Sequence, residues 1–225
     1  MAEETYVIRT RSNDEKLVQE KRHLIARCAI ELFAEKGFKA TTMRELAQAC
    51  GMAQGAVYHY IGTKDDILHL ICATASSGGE SMREYLKELG TANPVQALIA
   101  CIRKYYGWAD YDQENYIFFS REIIHFSRQD REMLLRSQLE IMGVFEELLN
   151  EANKKGKLKV DNPAFVAHQI LITGYDWALR RWYLRSHFTL EEYCDWEIRM
   201  LLRQLGVDAR VIPKLIEKSR NVSGA

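Results

Sequence analysis

The sequence predicts an all-α fold, and three observations support this. The 225 residues include only three prolines, so long stretches can form uninterrupted helices. Apolar residues recur at intervals of three and four, and the sustained alternation typical of strands does not appear. Glycines, Asx-Pro pairs and hydroxyl side chains stand at intervals that are typical of helix ends.

Three compact helices are predicted at the N-terminus. Leu17 and Phe33 lie on the apolar face of the first helix, and Gly37 follows its last turn. Thr42 and Glu45 have the spacing of a capping box at the start of the second helix. The predicted ranges are about 15–36, 43–50 and 54–61.

Longer helices are predicted after residue 63. Gly78-Gly79 predicts a kink in the first of them. Thr189 and Glu192 have the spacing of a second capping box. The predicted ranges are about 63–90, 94–108, an aromatic segment over 114–126, then 130–155, 163–186 and 190–205, with a short helix after Asp208. We therefore expect an N-terminal domain over residues 1–66 and a second helical domain over residues 67–225.

The charge balance excludes a polybasic protein. Lys and Arg number 31, as do Asp and Glu, so the net charge is zero. A local excess exists over residues 9–60, with nine basic against six acidic residues. Arg9 and Arg11 suit an arm that reaches a minor groove or phosphates, and a disordered tail fits them equally well.

The five cysteines are scattered and include no CxxC pair. They are expected to be reduced, buried residues, with a redox sensor as the alternative. The N-terminus has no apolar signal segment, and no run of about 18 apolar residues predicts a membrane span. We therefore expect a cytoplasmic location and no membrane partner.

Residues 43–62 have the features that a helix-turn-helix requires. Ala47 is small where the two helices approach each other, and Gly51, four residues later, can adopt the positive φ of the turn. Apolar residues needed to lock the pair stand at Leu46, Cys50, Met52 and Val57. A plain helical hairpin shares part of this pattern, so the spacing alone leaves that alternative open.

The stretch over residues 25–68 resembles the DNA-binding domain of the TetR/AcrR family of transcriptional regulators. The motifs that carry the resemblance are A-x-x-L-F-x-x-x-G-F from Ala29, T-T-x-x-x-L-A from Thr41, G-x-x-x-G-x-x-Y-x-Y from Gly51 and K-x-D-I-L from Lys64. They follow one another without a gap over about the first third of the chain. Two positions depart from the family pattern. Ala53 stands where Ser or Thr is common, and Ile61 stands where an aromatic residue is expected.

The resemblance implies that the third helix enters the major groove of double-stranded DNA. Gln54 can pair with adenine, and Tyr58 and His59 can contact bases, although each could equally pack or stay a bystander. The residues expected at the DNA are Thr42, Arg44, Gln54, Gly55, Tyr58, His59, Tyr60 and Lys64. One such unit makes few contacts, so a homodimer on a near-palindromic operator is expected.

In this family the second domain binds a small molecule and dimerises through its last two long helices, here about 163–186 and 190–205. Large apolar residues on more than one face of both helices suit that role, and a single large core is the alternative. On the first helix these residues include Phe165, Ile170, Ile172, Leu179 and Trp182. On the second they include Tyr193, Trp196, Met200 and Leu201.

Aromatic residues concentrate in the second domain, as in ligand pockets and in ordinary cores. The Asp176-Trp177 pair followed by Arg181-Trp182-Tyr183 is similar to regulators of this family that sense acyl-CoA thioesters. Arginines there suit a phosphate-bearing ligand. We expect an acyl-CoA or related acid as effector, or else a flat hydrophobic molecule. The residues expected to bind it are Tyr105, Trp108, Tyr116, Phe119, Tyr175, Asp176, Arg180 and Arg181.

Two other classes of protein compete with this interpretation. An enzyme is disfavoured because no Gly-rich phosphate loop, HExxH or GxSxG motif is present. Glu122-x-x-His125 has the spacing of a carboxylate-bridged di-metal helix, but a second copy is missing. No catalytic residue, metal or cofactor is therefore expected. A helical interaction module fits the later helices, and only the first 68 residues argue against it.

Overall fold

The fold was obtained as a computed structural model, which describes Ile8, Thr10 and residues 14–75 and 78–220. These residues form helices and no strand, so the predicted all-α fold is confirmed. The helices are α1 (Glu15–Lys36), α2 (Met43–Ala49), α3 (Gln54–Tyr60), α4 (Lys64–Ala75), α5 (Gly78–Glu88), α6 (Pro94–Tyr111), α7 (Gln113–Glu122), α8 (Arg128–Lys154), α9 (Pro163–Leu179), α10 (Arg181–Leu184), α11 (Leu190–Gln204) and α12 (Ile212–Arg220). Among the described residues, no helix has both the length and the apolar character needed to cross a bilayer.

The first three helices begin and end close to the predicted residues because local signals determine their ends. The Asp14 side chain accepts from the backbone N–H of Leu17 at 3.1 Å and caps α1. Gly37, with φ +84°, follows its last residue. Leu17 was wrongly placed on the apolar face, because it is 37% exposed. It lies in the first turn, before Val18, the first buried residue of the helix.

The later helices follow the predicted order along the chain. The predicted helix over residues 63–90 corresponds to α4 and α5, and its continuity stays a prediction because residues 76–77 lie outside the described ones. The aromatic segment ends as a 3-10 turn over Ile123–His125, closed by a bond from the Phe126 N–H to the Ile123 carbonyl.

The helix predicted to reach residue 186 ends at Leu179. The backbone turns at Arg180, and the short α10 then brings Leu184 into the core while Trp182 stays 80% exposed. Burial of Leu184 gives a physical reason for the turn. Trp182 therefore belongs to α10 and not to the long apolar helix.

The chain forms two compact units, which we call unit 1 and unit 2. Unit 1 contains Met1–Ser76 and Ile117–Leu135, and unit 2 contains Ser77–Tyr116 and Arg136–Ala225. The predicted domain boundary at residue 66 stays a prediction. Unit 1 includes α4 because Ile67, Leu68 and Ile71 are buried in the same apolar cluster as α1.

The core of unit 1 joins the first four helices to aromatic residues from much later in the chain. Phe33 of α1 stacks on Phe118 of α7 with ring centroids 5.7 Å apart. Phe118 also packs against Phe126, and both are buried. Such pairs add stability beyond the area they bury. The three-helix motif therefore shares its core with residues 117–135.

The core of unit 2 is built around α6, which packs against α5, α9, α11 and α12. Gly174 of α9 allows this packing: a Cβ there would lie 2.5 Å from Tyr105 Cε1 and 2.8 Å from Tyr106 Cδ1. The guanidinium of Arg103 binds the carboxylate of Asp195, joining α6 to α11. α6 and α9 thus pack so closely that the aromatic rings of α6 leave no room for a side chain at position 174.

Candidate nucleic-acid interface and effector region

The turn between α2 and α3 has the features expected of a helix-turn-helix. Gly51 adopts φ +63°, a conformation that residues with a Cβ rarely take. The Met52 N–H donates to the Ala47 carbonyl at 2.8 Å, which closes the turn. Ala47 and Leu46 are buried at 3% and 1% exposure. The small residue therefore lies at the place where the two helices meet.

α3 has two chemically distinct faces. Val57 is fully buried, as is Ile61 directly after the helix. Gln54, Tyr58 and His59 are exposed on the outer side. The apolar residues attach one side of this short helix to the core, and the polar residues face outward. The polar side can therefore contact another molecule while the core contacts stay in place.

The N-terminal end of α3 is uncapped and open. Ala53 makes no side-chain bond to the helix, as its departure from the family pattern predicts. Gly55 is exposed, and no atom lies within 4 Å of where its Cβ would be. The first turn of α3 therefore presents free backbone N–H groups and little side-chain bulk.

The start of α2 presents Thr42 and Arg44, both exposed. The Thr42 hydroxyl accepts from the Glu45 N–H at 3.2 Å and donates to Glu45 Oε2 at 2.9 Å. That hydroxyl and the Thr42 N–H, which donates to the same Glu45 carboxylate at 2.8 Å, are thus both used by the cap of α2. Arg44 extends into solvent beside it.

Lys64 and Tyr60 are half-buried, in contrast to the exposed residues of α3. Lys64 Nζ lies 4.4 Å from the centroid of the Phe38 ring and 3.4 Å from the Lys39 carbonyl. Burial lowers the pKa of Lys64, and the charge of Asp65 opposes this. Lys39, whose carbonyl accepts from Lys64, is an exposed cation that was not among the residues predicted to contact DNA.

Arg9 and Arg11, the predicted basic arm, lie outside the described residues.

The structure brings together several aromatic residues predicted to bind the effector. In unit 2, the rings of Tyr116 and Tyr175 are 5.1 Å apart, and the Tyr105 hydroxyl donates to the Leu171 carbonyl at 3.2 Å. Burial raises the pKa of Tyr116 to about 12, and burial also raises the pKa of Tyr105. Neutral phenols therefore line this part of unit 2. Trp108 lies half-buried against the same core.

Phe119 does not lie in the aromatic cluster of unit 2. It packs in unit 1 against Phe118 and Phe126, at centroid distances of 5.4 and 5.8 Å.

The arginines near the end of α9 are all engaged in polar contacts. Arg180 Nε lies 2.6 Å from Asp176 Oδ1, and the Arg181 guanidinium donates to the Gln113 side chain. Arg185 contacts Asp110, which also accepts from Trp177 Nε1 at 2.8 Å. Sequence reasoning missed this last set, because its members are more than sixty positions apart. An anionic ligand bound here would therefore compete with Asp176 for Arg180 and with Asp110 for Arg185.

α9 and α11 have apolar residues on two faces. Ile170 and Tyr193 are buried in unit 2, while Leu179 and Leu201 are partly buried. Large apolar side chains remain exposed on the other faces: Phe165 at 60%, Ile172 at 46%, Trp196 at 55% and Met200 at 54%. Exposed apolar side chains are typical of interaction surfaces where they form a contiguous patch.

The isolated Glu122-x-x-His125 pair is used within unit 1. His125 Nε2 lies 3.8 Å from Glu122 Oε2, and the His125 ring packs on Phe38 at 5.8 Å. Over the described parts of the chain, no three His, Cys, Asp or Glu side chains are grouped as metal ligands. The contact between His125 and Phe38 instead joins the turn after α7 to the loop after α1.

Two family models match the chain. The model described as "Bacterial regulatory proteins, tetR family" matches residues 25–71. The model described as "Tetracyclin repressor-like, C-terminal domain" matches residues 91–205, more than half of the chain.

Relatives and solved structures agree with these matches. The chain is 28% identical over 191 residues to the HTH-type transcriptional regulator HbdR of Aromatoleum sp. (strain CIB), covering 84% of this chain and 82% of that one. It is 25% identical over 159 residues to the fatty acid metabolism regulator protein of Bacillus subtilis (strain 168), covering 70% and 81%. The structure of AibR with isovaleryl coenzyme A and operator DNA has a TM-score of 0.69 at 23% identity, over 81% of this chain and 98% of that one. That of KstR2 from Mycobacterium tuberculosis has a TM-score of 0.70 at 18% identity, over 90% and 100%.

The matched families and relatives are transcriptional regulators and not enzymes. Together with the turn at Gly51 and the outward face of α3, these matches show that the chain belongs to the TetR family of transcriptional regulators.

Proposed function

We propose that the protein is a ligand-responsive repressor that binds a near-palindromic DNA operator as a homodimer. The observation that carries this proposal is the outward face of α3, where Gln54, Tyr58 and His59 are exposed while Val57 and Ile61 anchor the helix. A helix presented in this way fits the major groove, with its first turn nearest the base edges. In this proposal residues 1–66 are the DNA-binding domain, and the protein acts in the cytoplasm.

The contacts divide into base readers and phosphate binders. Gln54, in the first turn, pairs with adenine, and Tyr58 and His59 contact bases or thymine methyl groups. Gly55 lets the backbone approach the DNA closely. The phosphate binders fix the register of the protein without reading sequence, and they are Thr42, Arg44, Tyr60 and Lys64.

The dimer forms through α9 and α11. Its proposed surface includes Phe165, Ile172, Trp196 and Met200, which unit 2 leaves exposed. Aromatic and Met side chains are enriched at the centre of such interfaces. Two-fold symmetry then places two copies of α3 about 34–36 Å apart, or a multiple of that, and reads two half-sites.

The effector binds in unit 2 and is a small hydrophobic or acyl-CoA-like molecule. The aromatic residues proposed to accept its apolar part are Tyr105, Trp108, Tyr116 and Tyr175, whereas Phe119, which packs in unit 1, is left out of this proposal. Arg180 and Arg181, together with Asp176, bind its polar end, since guanidinium groups suit phosphates. Support comes from AibR, a protein of similar fold that was solved with isovaleryl coenzyme A. A flat hydrophobic effector without phosphate is the second candidate, because each arginine already has a polar partner.

Effector binding releases the operator by shifting the population of dimers towards a spacing that does not fit both half-sites. Coupling energies of this kind are typically about 1–3 kcal/mol. DNA affinity should therefore fall about five- to 150-fold when the effector is saturating.

The first test is selection of bound sequences from random duplex DNA by the purified full chain at a fixed salt concentration. An enriched near-palindrome supports the proposal. No enrichment by a folded sample, before and after refolding to remove carried-over ligand, contradicts it. Gln54→Ala should lose selection at one position of each half-site, whereas Gln48→Ala, at an exposed position on α2, should keep it.

The effector is tested on the selected duplex with isovaleryl-CoA, free isovalerate and coenzyme A as separate probes. Release by the thioester alone supports an acyl-CoA-like effector. Release by isovalerate at similar concentration assigns recognition to the acyl part and its carboxylate, and contradicts a need for the coenzyme A phosphates. No release by any of the three rules out short-chain acyl-CoA effectors and leaves the hydrophobic alternative.

A further inference from the structure

The C-terminal end of α3 is bound by side chains that precede it by many residues. The Thr10 hydroxyl donates to the His59 carbonyl at 3.0 Å. Arg22 Nε of α1 donates to the Tyr60 carbonyl at 3.1 Å. The last carbonyls of a helix have no partner within the helix, and a cation placed there is favoured by the helix dipole. These two bonds therefore satisfy both of the final carbonyls of α3.

Arg22 also binds the backbone at Ile8, two positions before Thr10. Its Nη2 donates to the Ile8 carbonyl at 2.8 Å, and the Ile8 side chain is 9% exposed within the apolar cluster of unit 1. Burial lowers the pKa of Arg22, and the charge of Asp66 opposes this. One guanidinium thus joins α1, the end of α3 and the chain at residue 8, with the acidic start of α4 near it.

α3 has few other attachments. It contains seven residues, only Val57 among them is buried, and Ala53 provides no N-terminal cap. A helix this short is marginal without tertiary contacts. The hydrogen bonds at the C-terminal end of α3 therefore contribute a large share of the contacts that orient this helix.

We propose that Ile8, Thr10 and Arg22 form a clamp that sets the position of α3 and thereby the base specificity of the protein. The inference rests on the proposed function, since α3 must be the helix that reads DNA. All three residues precede residue 25, where the match to the N-terminal family model begins. Arg22 is a positioning residue: two of its nitrogens are used by backbone carbonyls of the protein.

Four variants of the full chain, among them Arg22→Lys, test the clamp. Arg22→Met keeps much of the side-chain volume but removes the donors, and Thr10→Val removes one hydroxyl. Arg27→Met is the matched control, because Arg27 is an exposed arginine of the same helix. Each variant is measured for amide hydrogen exchange in residues 54–61, and for binding to the selected duplex and to a scrambled duplex over a salt series.

Arg22→Met should speed exchange in α3 and weaken binding to the selected duplex about tenfold, while binding to the scrambled duplex changes less than about twofold. A lost charge-assisted hydrogen bond is commonly about 1.5 kcal/mol, which corresponds to such a factor. The salt slope should stay unchanged because no phosphate contact is lost. Arg22→Lys, which keeps the charge and one donor group, should restore part of the selectivity, and Arg27→Met should behave as the unaltered chain.

Three results would overturn the clamp: unchanged exchange in α3, faster exchange with unchanged selectivity, or equal weakening on both duplexes with a lower salt slope. The last would make Arg22 a phosphate contact. If Arg22→Met does not fold, Thr10→Val decides, with the same changes expected at smaller size. Failure of the proposed function would look different, because the unaltered chain would then select no DNA sequence. The hydrogen-exchange measurement would still report whether the clamp holds α3.

Discussion

Thr42 and Glu45 bind each other reciprocally at the start of α2. The Thr42 N–H donates to Glu45 Oε2 at 2.8 Å, and the Glu45 N–H donates to Thr42 Oγ1 at 3.2 Å. Lys36 Nζ lies 3.1 Å from the other carboxylate oxygen. The backbone bond from Thr42, followed by the bond from Lys36, lowers the pKa of Glu45 from 4.5 to about 2. The ionised carboxylate therefore belongs to the folded state.

Glu45→Gln should lower the thermal stability of the protein near neutral pH and flatten its acid dependence. The folded pKa is depressed, so the contribution of Glu45 is complete above the unfolded value of 4.5 and is lost as pH falls towards about 2. Melting temperatures across that window check this. Glu20→Gln, at an exposed position of α1, is the control, and equal acid profiles for the two variants would contradict the expectation.

Gly174→Ala should destabilise unit 2, whereas Gly107→Ala should not. A Cβ at Gly174 would lie 2.5 Å from Tyr105 Cε1, while one at Gly107 would meet nothing within 4 Å. Overpacking typically costs about 1–3 kcal/mol, and alanine in an open helix position stabilises by up to about 1 kcal/mol. Denaturant unfolding of both variants measures the difference. Similar stabilities would mean that α6 and α9 are not packed as closely as described.

The sequence correctly predicted those features that depend on residues only a few positions apart. Both capping boxes, Thr42 with Glu45 and Thr189 with Glu192, are formed as expected because their partners are three residues apart. What it missed depends on distant partners. Phe118 reaches the core of unit 1 across more than eighty residues, and no periodicity within α7 indicates that.

The same limit applies to the candidate sites. The exposed residues of α3 follow from its helical period, once Val57 is known to be buried. The ion pair of Asp110 with Arg185 follows from no local pattern, and neither does the turn at Arg180 that ends α9. The proposed effector region is therefore less predictable than the DNA-binding face, because its residues come from two stretches that are far apart in sequence, α6–α7 and α9–α10.

Trp196→Glu should convert the dimer largely to monomer. Trp196 is 55% exposed on α11, and central aromatic residues of interfaces commonly contribute about 2 kcal/mol or more to association. The dimer dissociation constant should rise roughly thirtyfold or more. Sedimentation velocity over a concentration series measures it. Tyr111→Glu, at an aromatic residue of α6 that is 88% exposed, is the control and should leave the dimer intact. Loss of the dimer in the control alone would place the interface elsewhere.

Lys64→Gln should reduce the salt dependence of operator binding. Each phosphate contact contributes about 0.9 to the slope of the logarithm of the binding constant against the logarithm of salt concentration. A dimer with two half-sites should therefore lose about 1.8. Lys64 also packs on Phe38 at 4.4 Å, so the melting temperature of the variant must be measured alongside. Lys16→Gln, at an exposed residue of α1, should keep the slope. An unchanged slope with lower stability would assign Lys64 to the fold of unit 1 and leave Arg44 and the exposed Lys39 as the cations that meet the phosphates.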